Sequence, residues 1–155
     1  MLDILRLSKI EDYPIFSLKG VITYGKILKN YDGDTADCLI IYKENIMRFK
    51  VRFYGYDSPE MKPSLNIENR EEIILKAKEA KRKLWKECSG LDDINEKEHN
   101  KIIKILCDDF DKYGRLLITA FDYELNKELN FENSINKKMI EEGYGYSYLG
   151  GKKNI

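Results

Sequence analysis

Between residues 21 and 54 the sequence runs through three apolar, β-branched stretches separated by only a few residues each, and this spacing leaves few folds open. Residues 21–29 hold Val21, Ile22, Thr23, Tyr24, Ile27 and Leu28. Residues 35–42 end in Cys38-Leu39-Ile40-Ile41-Tyr42, and residues 46–54 alternate Arg48, Phe49, Lys50, Val51, Arg52 and Phe53. A period of two sends alternate side chains to opposite faces, as in a strand with one buried side. The connectors are Asn30-Tyr31-Asp32-Gly33 and Lys43-Glu44-Asn45. Parallel neighbours need a crossover of a dozen or more residues, so strands this close in sequence must pair antiparallel, as a meander.

The remaining chain adds two strands and two helices. Residues 55–69 lack periodicity and carry Gly55, Pro59 and Pro63, the marks of a loop. Residues 70–88 read as a helix with Ile73, Ala77, Ala80, Leu84 and Cys88 on one face and Trp85 beside them. Its other side carries Lys76, Lys78, Lys81, Arg82, Lys83 and Lys86, read as a solvated face, and Ser89-Gly90 ends it. Residues 91–100 form a polar insertion that contains His99, read as solvated. Strands follow at 101–110 and 116–123, and a last helix starts at Asn136. Asn136 is the expected N-cap, with Ile135 and Ile140 as a hydrophobic staple and Gly143 just past the end. Five strands with a helix between the third and fourth match a five-stranded OB-fold barrel of the α+β kind, with a C-terminal helix. Residues 1–20 read as an irregular N-terminal arm packed on the single domain at 21–155.

Composition narrows the chemistry. One histidine excludes mechanisms that need a pair, and Cys38, Cys88 and Cys107 form no Cys-x-x-Cys, so structural zinc is not expected. Three unclustered cysteines fit buried thiols in a reducing compartment. The N-terminus meets charges at Asp3, Arg6 and Lys9, unlike a signal peptide, and no run reaches membrane-span length. The expectation is a soluble, intracellular, monomeric protein without a membrane partner. Lysine plus arginine equal aspartate plus glutamate at 27 each, which argues against nucleic-acid binding by bulk positive charge.

Three short motifs carry possible chemistry. Asp32-Gly33-Asp34-Thr35 joins the first two strands; Asp-Gly alone is an ordinary hairpin turn, but two carboxylates around one glycine also suit a hard cation. Arg52 precedes Asp57-Ser58-Pro59-Glu60, a turn that adds two more acids. Gathered carboxylates raise one another's pKa unless a cation intervenes, and an all-oxygen set favours calcium or magnesium. Lys112-Tyr113-Gly114-Arg115 is either a glycine-turned hairpin or a phosphate clamp.

In this order, Asp-Gly-Asp-Thr, Arg-x-x-x-x-Asp-Ser-Pro-Glu and Lys-Tyr-Gly-Arg resemble the staphylococcal nuclease family over residues 21–148, and Asn136-Lys-Lys-Met-Ile-Glu-Glu-Gly143 resembles that family's late helix. The resemblance implies a Ca2+ ion held by Asp34, Asp57 and the backbone carbonyl of Ser58, with Asp32 beside it. It implies Glu60 as general base and Arg52 and Arg115 on the scissile phosphate. Tyr113 and a tail tyrosine, taken as Tyr148, would lie near the bound nucleotide. The implied activity is endonucleolytic cleavage of DNA or RNA with little sequence preference, giving 3′-phosphate ends on single-stranded or locally open substrate. Many members carry a third helix beyond the tail aromatics, where this sequence reaches Ile155; either the arm covers that surface or the fold is a shorter variant. Two other classes are weighed against the nuclease: a non-catalytic nucleic-acid- or protein-binding OB module, and a structural domain whose acids hold calcium. Net zero charge sharpens the first expectation, since affinity without the metal should then be weak.

Overall fold

The chain folds as strand, strand, strand, helix, strand, strand, helix, and a computed structural model describes residues 1–148. Strands β1 (Ile22–Asn30), β2 (Thr35–Tyr42) and β3 (Asn45–Phe53) form the expected antiparallel meander. Strands β5 (Ile103–Phe110) and β6 (Leu116–Asp122) follow helix α2 (Arg70–Ser89). The five close into a barrel in the order β1-β2-β3-β6-β5. The β3–β6 pair is parallel and the other four are antiparallel, so the barrel is mixed, an arrangement consistent with the OB class.

The alternation seen in the sequence sets what faces inward. Ile27, Ala36, Cys38, Val51, Phe53, Ile105, Leu116 and Ile118 fill the barrel, and α2 covers it with Ala77, Ala80, Leu84, Trp85 and Cys88. Trp85 and all three cysteines are buried, as expected of packing residues. Truncating a side chain such as Leu84 to alanine should cost about 2–5 kcal/mol through lost transfer energy and the cavity left behind. Gly90 (φ +78°) ends α2 in the left-handed conformation its position requires.

Four local expectations change. Helix α3 spans Ile135–Glu141 and is capped by Ser134, whose hydroxyl accepts from the Lys137 N–H at 3.0 Å. Asn136 is not the cap but a fully buried connector: its Oδ1 accepts from the Ala120 N–H, and its Nδ2 donates to the Tyr54 and Ile118 carbonyls. Asparagine at a helix start reads as a cap because caps are its commonest use; this one instead satisfies backbone groups where α3 meets the barrel. His99 is half-buried rather than solvated. Its Nε2 lies 2.7 Å from the Ile27 carbonyl and its ring meets Trp85 edge-on. The arm contains a short helix, α1 (Leu2–Leu7), with no buried residue; further along it Phe16 meets Tyr42 edge-on and Leu18 is buried. A small sheet also appears where loop and tail were expected: β4 (Tyr56–Asp57) pairs antiparallel with β7 (Tyr146–Ser147). The Lys152–Lys153 end of the tail lies outside the described residues. Among the described residues, no helix is long and apolar enough to cross a membrane.

Candidate functional site

The β1–β2 turn is built around one carboxylate. Asp32 Oδ1 accepts from the Asp34 N–H, the Thr35 N–H and the Thr35 hydroxyl at 2.7–2.9 Å, which holds the turn closed. Gly33 is needed for close approach rather than for a left-handed φ. A Cβ there would stand 2.7 Å from the Ser58 Cβ and 2.8 Å from the Ala80 Cβ. The missing side chain therefore lets the turn press against α2 and the β4 loop, and the Tyr56 hydroxyl locks that contact by donating to the Gly33 carbonyl at 2.6 Å.

Pressed together in this way, three motifs far apart in sequence share one cavity of about 450 Å³. Asp32, Asp34, Arg52, Asp57, Ser58, Glu60, Arg115 and Tyr148 line it, with Pro59 and Met61. Eight of the nine residues singled out from the sequence meet there. Tyr113 does not: it is 72% exposed and lines a neighbouring cavity that shares Arg52, Arg115 and Tyr148 with the first.

Arg52 is the centre of the charge arrangement. Its Nη1 stands 3.0 Å from Asp34 Oδ2, its Nη2 is ion-paired to Asp57 Oδ1, and Nη2 also donates to the Tyr56 carbonyl at 3.1 Å. Guanidinium offers five N–H donors, and these contacts account for three of them. The Ser58 N–H donates to Asp34 Oδ2 at 2.8 Å. Two aspartates, Asp34 and Asp57, thus share one half-buried arginine, and Asp32 lies close enough to Asp34 for its charge to be felt there. Burial and then the Asp32 charge push the Asp34 carboxyl up to about 6, against the pull of Arg52 and the Ser58 N–H.

Glu60 lies exposed on the cavity wall. Arg115 is aimed by Asp111: Nε donates to Asp111 Oδ2 at 2.7 Å, and Asp111 Oδ1 accepts the Arg115 and Tyr113 N–H groups at 2.9 Å. These bonds outweigh the burial of Asp111 and hold its pKa below the ordinary carboxylate range. Gly114 supplies the positive φ of +81° that this turn requires. Arg115 stacks over Tyr113 at 5.3 Å and Arg52 over Tyr148 at 5.9 Å. Asp111 and Tyr56 were not singled out from the sequence. Asp111 had a signal, an acid four residues before the arginine in the same turn; the Tyr56 hydroxyl had none, because its partner is the carbonyl of Gly33, 23 residues away.

The donor set suits a hard cation. Every charged acceptor in the cavity is a carboxylate oxygen, and no histidine or cysteine lines it. Arg52 engages one oxygen of Asp34 and one of Asp57, so each keeps a second oxygen outside these ion pairs. Among the described residues, no three His, Cys, Asp or Glu side chains by themselves enclose a metal ion. A cation held by Asp34 and Asp57 would therefore complete its shell with backbone, water or substrate oxygens, as hard divalent ions commonly do. No family model matches the sequence, and no curated protein matches it.

Proposed function

We propose that this protein is a divalent-cation-dependent endonuclease of the staphylococcal nuclease type, using calcium to hydrolyse phosphodiester bonds of single-stranded or locally open DNA and RNA. The observation that carries the reading is the shared cavity, in which an acid pair sharing one arginine, a second oriented arginine and an exposed glutamate converge. Asp34 and Asp57, with the carbonyl of Ser58, would hold the cation. When bound, that ion would supply charge neutralisation at a non-bridging phosphate oxygen. Arg52 and Arg115 offer planar donor pairs to the remaining phosphate oxygens, where charge builds as water adds. Glu60 takes a proton from the attacking water as its oxygen bonds to phosphorus. The P–O5′ bond breaks, the 5′-oxygen takes a proton from solvent, and the phosphate stays on the 3′ side. Tyr148 beneath Arg52 and Tyr113 beneath Arg115 add flat surfaces beside the phosphate, contacts that favour no particular base.

The test is incubation with single-stranded DNA and with RNA, in calcium or in chelator, alongside Glu60→Gln and Arg52→Ala. Calcium-dependent degradation reduced at least about 100-fold in both variants is expected. Degradation unchanged by either substitution would sink the assignment of the site. Binding without degradation by the wild type would make the chain a non-catalytic binding module instead.

A further inference from the structure

On β3, alternate side chains project from the barrel: Arg48 and Lys50 are exposed and Arg52 is half-buried, while Val51 and Phe53 between and beyond them are buried. Two strand residues span about 6.5 Å, a repeat comparable to that of successive phosphates along an extended single strand. The row therefore runs from the arginine at the cavity outward along the barrel.

The neighbouring strands reinforce it. Cross-strand registry sets Lys50 of β3 opposite Asp37 of β2, and Asp37 opposite Lys29 of β1. Between them stands Tyr31, 41% exposed, with Lys29 Nζ at 5.2 Å and Lys50 Nζ at 5.7 Å from its ring centroid. The Tyr31 hydroxyl donates to Asp37 Oδ1 at 2.6 Å, and Arg48 Nε donates to Asp37 Oδ2 at 3.1 Å. One carboxylate is thus set against three cations, Lys29, Arg48 and Lys50. Tyr31, which stands among these cations, precedes Asp32 in sequence, and Lys50 lies two residues before Arg52; Asp32 and Arg52 both line the cavity. The balanced charge of the whole chain hides this local excess.

We propose that this face of β1–β3 is a track for the polynucleotide backbone, with Lys50 and Arg48 on successive phosphates beyond Arg52, Lys29 facing the same strand from β1, and Tyr31 as a fixed aromatic wall between them. The proposal rests on the nuclease reading and deepens it: the substrate is a strand several nucleotides long that crosses the barrel face before entering the cavity. Cationic grooves with interleaved aromatic rings are the sequence-tolerant way to hold single strands.

The test measures binding of a fluorescent twelve-nucleotide thymidine strand by anisotropy across a potassium chloride series, with calcium, in a Glu60→Gln background. Lys29→Ala/Lys50→Ala should weaken affinity tenfold or more and flatten the salt slope by about 1.4, two single-strand phosphate contacts' worth. Lys50→Glu, which changes the charge by the same amount at one position, should weaken it comparably. Lys76→Ala/Lys78→Ala, an equal loss of charge on α2, should leave it unchanged. Unchanged affinity in the first variant, equal loss in the α2 variant, or no binding by the parent would each overturn the track. Parent binding that the track variant abolishes, with no cleavage by wild type, would support the track and defeat the nuclease reading.

Discussion

At two places in this fold one charge stands between two of the opposite sign, and the two places are resolved differently. Where α2 meets α3, half-buried Glu87 lies 3.1 Å from Lys83 and 2.9 Å from Lys138, and Glu142 closes the group at 3.0 Å from Lys83. Two lysines face two glutamates, and the sum is zero. At the barrel mouth Arg52 faces Asp34 and Asp57, with Asp32 beside them, and among the described residues no second cation is ion-paired to these aspartates. The pKa directions follow. Burial raises Glu87, but hydrogen bonds from Lys138 and Lys83 outweigh it and hold the group below its ordinary value. Asp34 moves the other way, up to about 6. A balanced cluster ties two helices together; an unbalanced one is held by the rest of the fold, and on the proposed function a cation would complete it.

The sharpest way to break the comparison is to remove its central charge. Arg52→Met should destabilise the protein by about 3–5 kcal/mol in chelator, because it takes the ion-pair partner from two buried carboxylates. Urea unfolding with and without calcium measures this, and calcium should recover part of the loss. A drop below about 1 kcal/mol would mean that the acids are not held against one another by Arg52.

Acid titration gives the next largest effect, with opposite signs at the two clusters. A carboxyl whose folded pKa lies above its unfolded value binds protons more tightly when folded. Its contribution is most favourable below the unfolded value of 3.8 and is lost as pH rises through about 6. For Asp34 that is on the order of 2–3 kcal/mol. The stability difference between wild type and Asp34→Asn should therefore shift in favour of wild type on acidification from pH 7 to pH 4. Glu87 has the reverse sign: its stabilisation is present above its unfolded value and lost as pH falls. A wild-type minus Asp34→Asn difference that stays flat across that interval would remove the charge imbalance from the argument.

Calcium should act on one cluster alone. At ten times its dissociation constant it should stabilise the wild type by about 1.4 kcal/mol, or roughly 3–5 °C in Tm for a chain of this size. Asp34→Asn should abolish that shift and Glu87→Gln should keep it. An equal shift in both would place the ion elsewhere.

Much of this was legible in sequence because the barrel is built by short-range rules. The period-two stretches became β1, β2 and β3 within a residue of their expected ends, since alternation and tight turns leave one register that buries Val51 and Phe53. Apart from Met61 and Tyr148, the residues lining the cavity were visible as three motifs. Their convergence was not, because it depends on Gly33 lacking a side chain against Ser58 and Ala80, a contact between segments 25 and 47 residues apart. The β4–β7 pair escaped notice for a similar reason: two-residue strands have no measurable period, and a long-range registry alone creates them. Asn136 and His99 share a third cause. Each is a polar residue whose buried partners are backbone groups of distant strands, so nothing beside it in sequence announces the bond.

The smallest expected effect tests whether the balanced cluster is only structural. Glu87→Gln removes one charge from a group that sums to zero but keeps a side chain able to accept hydrogen bonds from Lys83 and Lys138. The loss should be about 1 kcal/mol, the scale of a partly solvated charged hydrogen bond. Glu142 remains 3.0 Å from Lys83 and 4.0 Å from Lys138, so neither lysine is stranded. Cleavage, calcium response and strand affinity should be unaltered, because none of the four residues lines the cavity or the β1–β3 face. Thermal melts set beside degradation assays on the same preparation read both quantities at once. A lower Tm with unchanged activity would confirm that the two clusters do separate work. A fall in activity larger than the lost stability explains would mean that the α2–α3 junction positions the barrel mouth, through the α2 segment that carries Ala80 against Gly33.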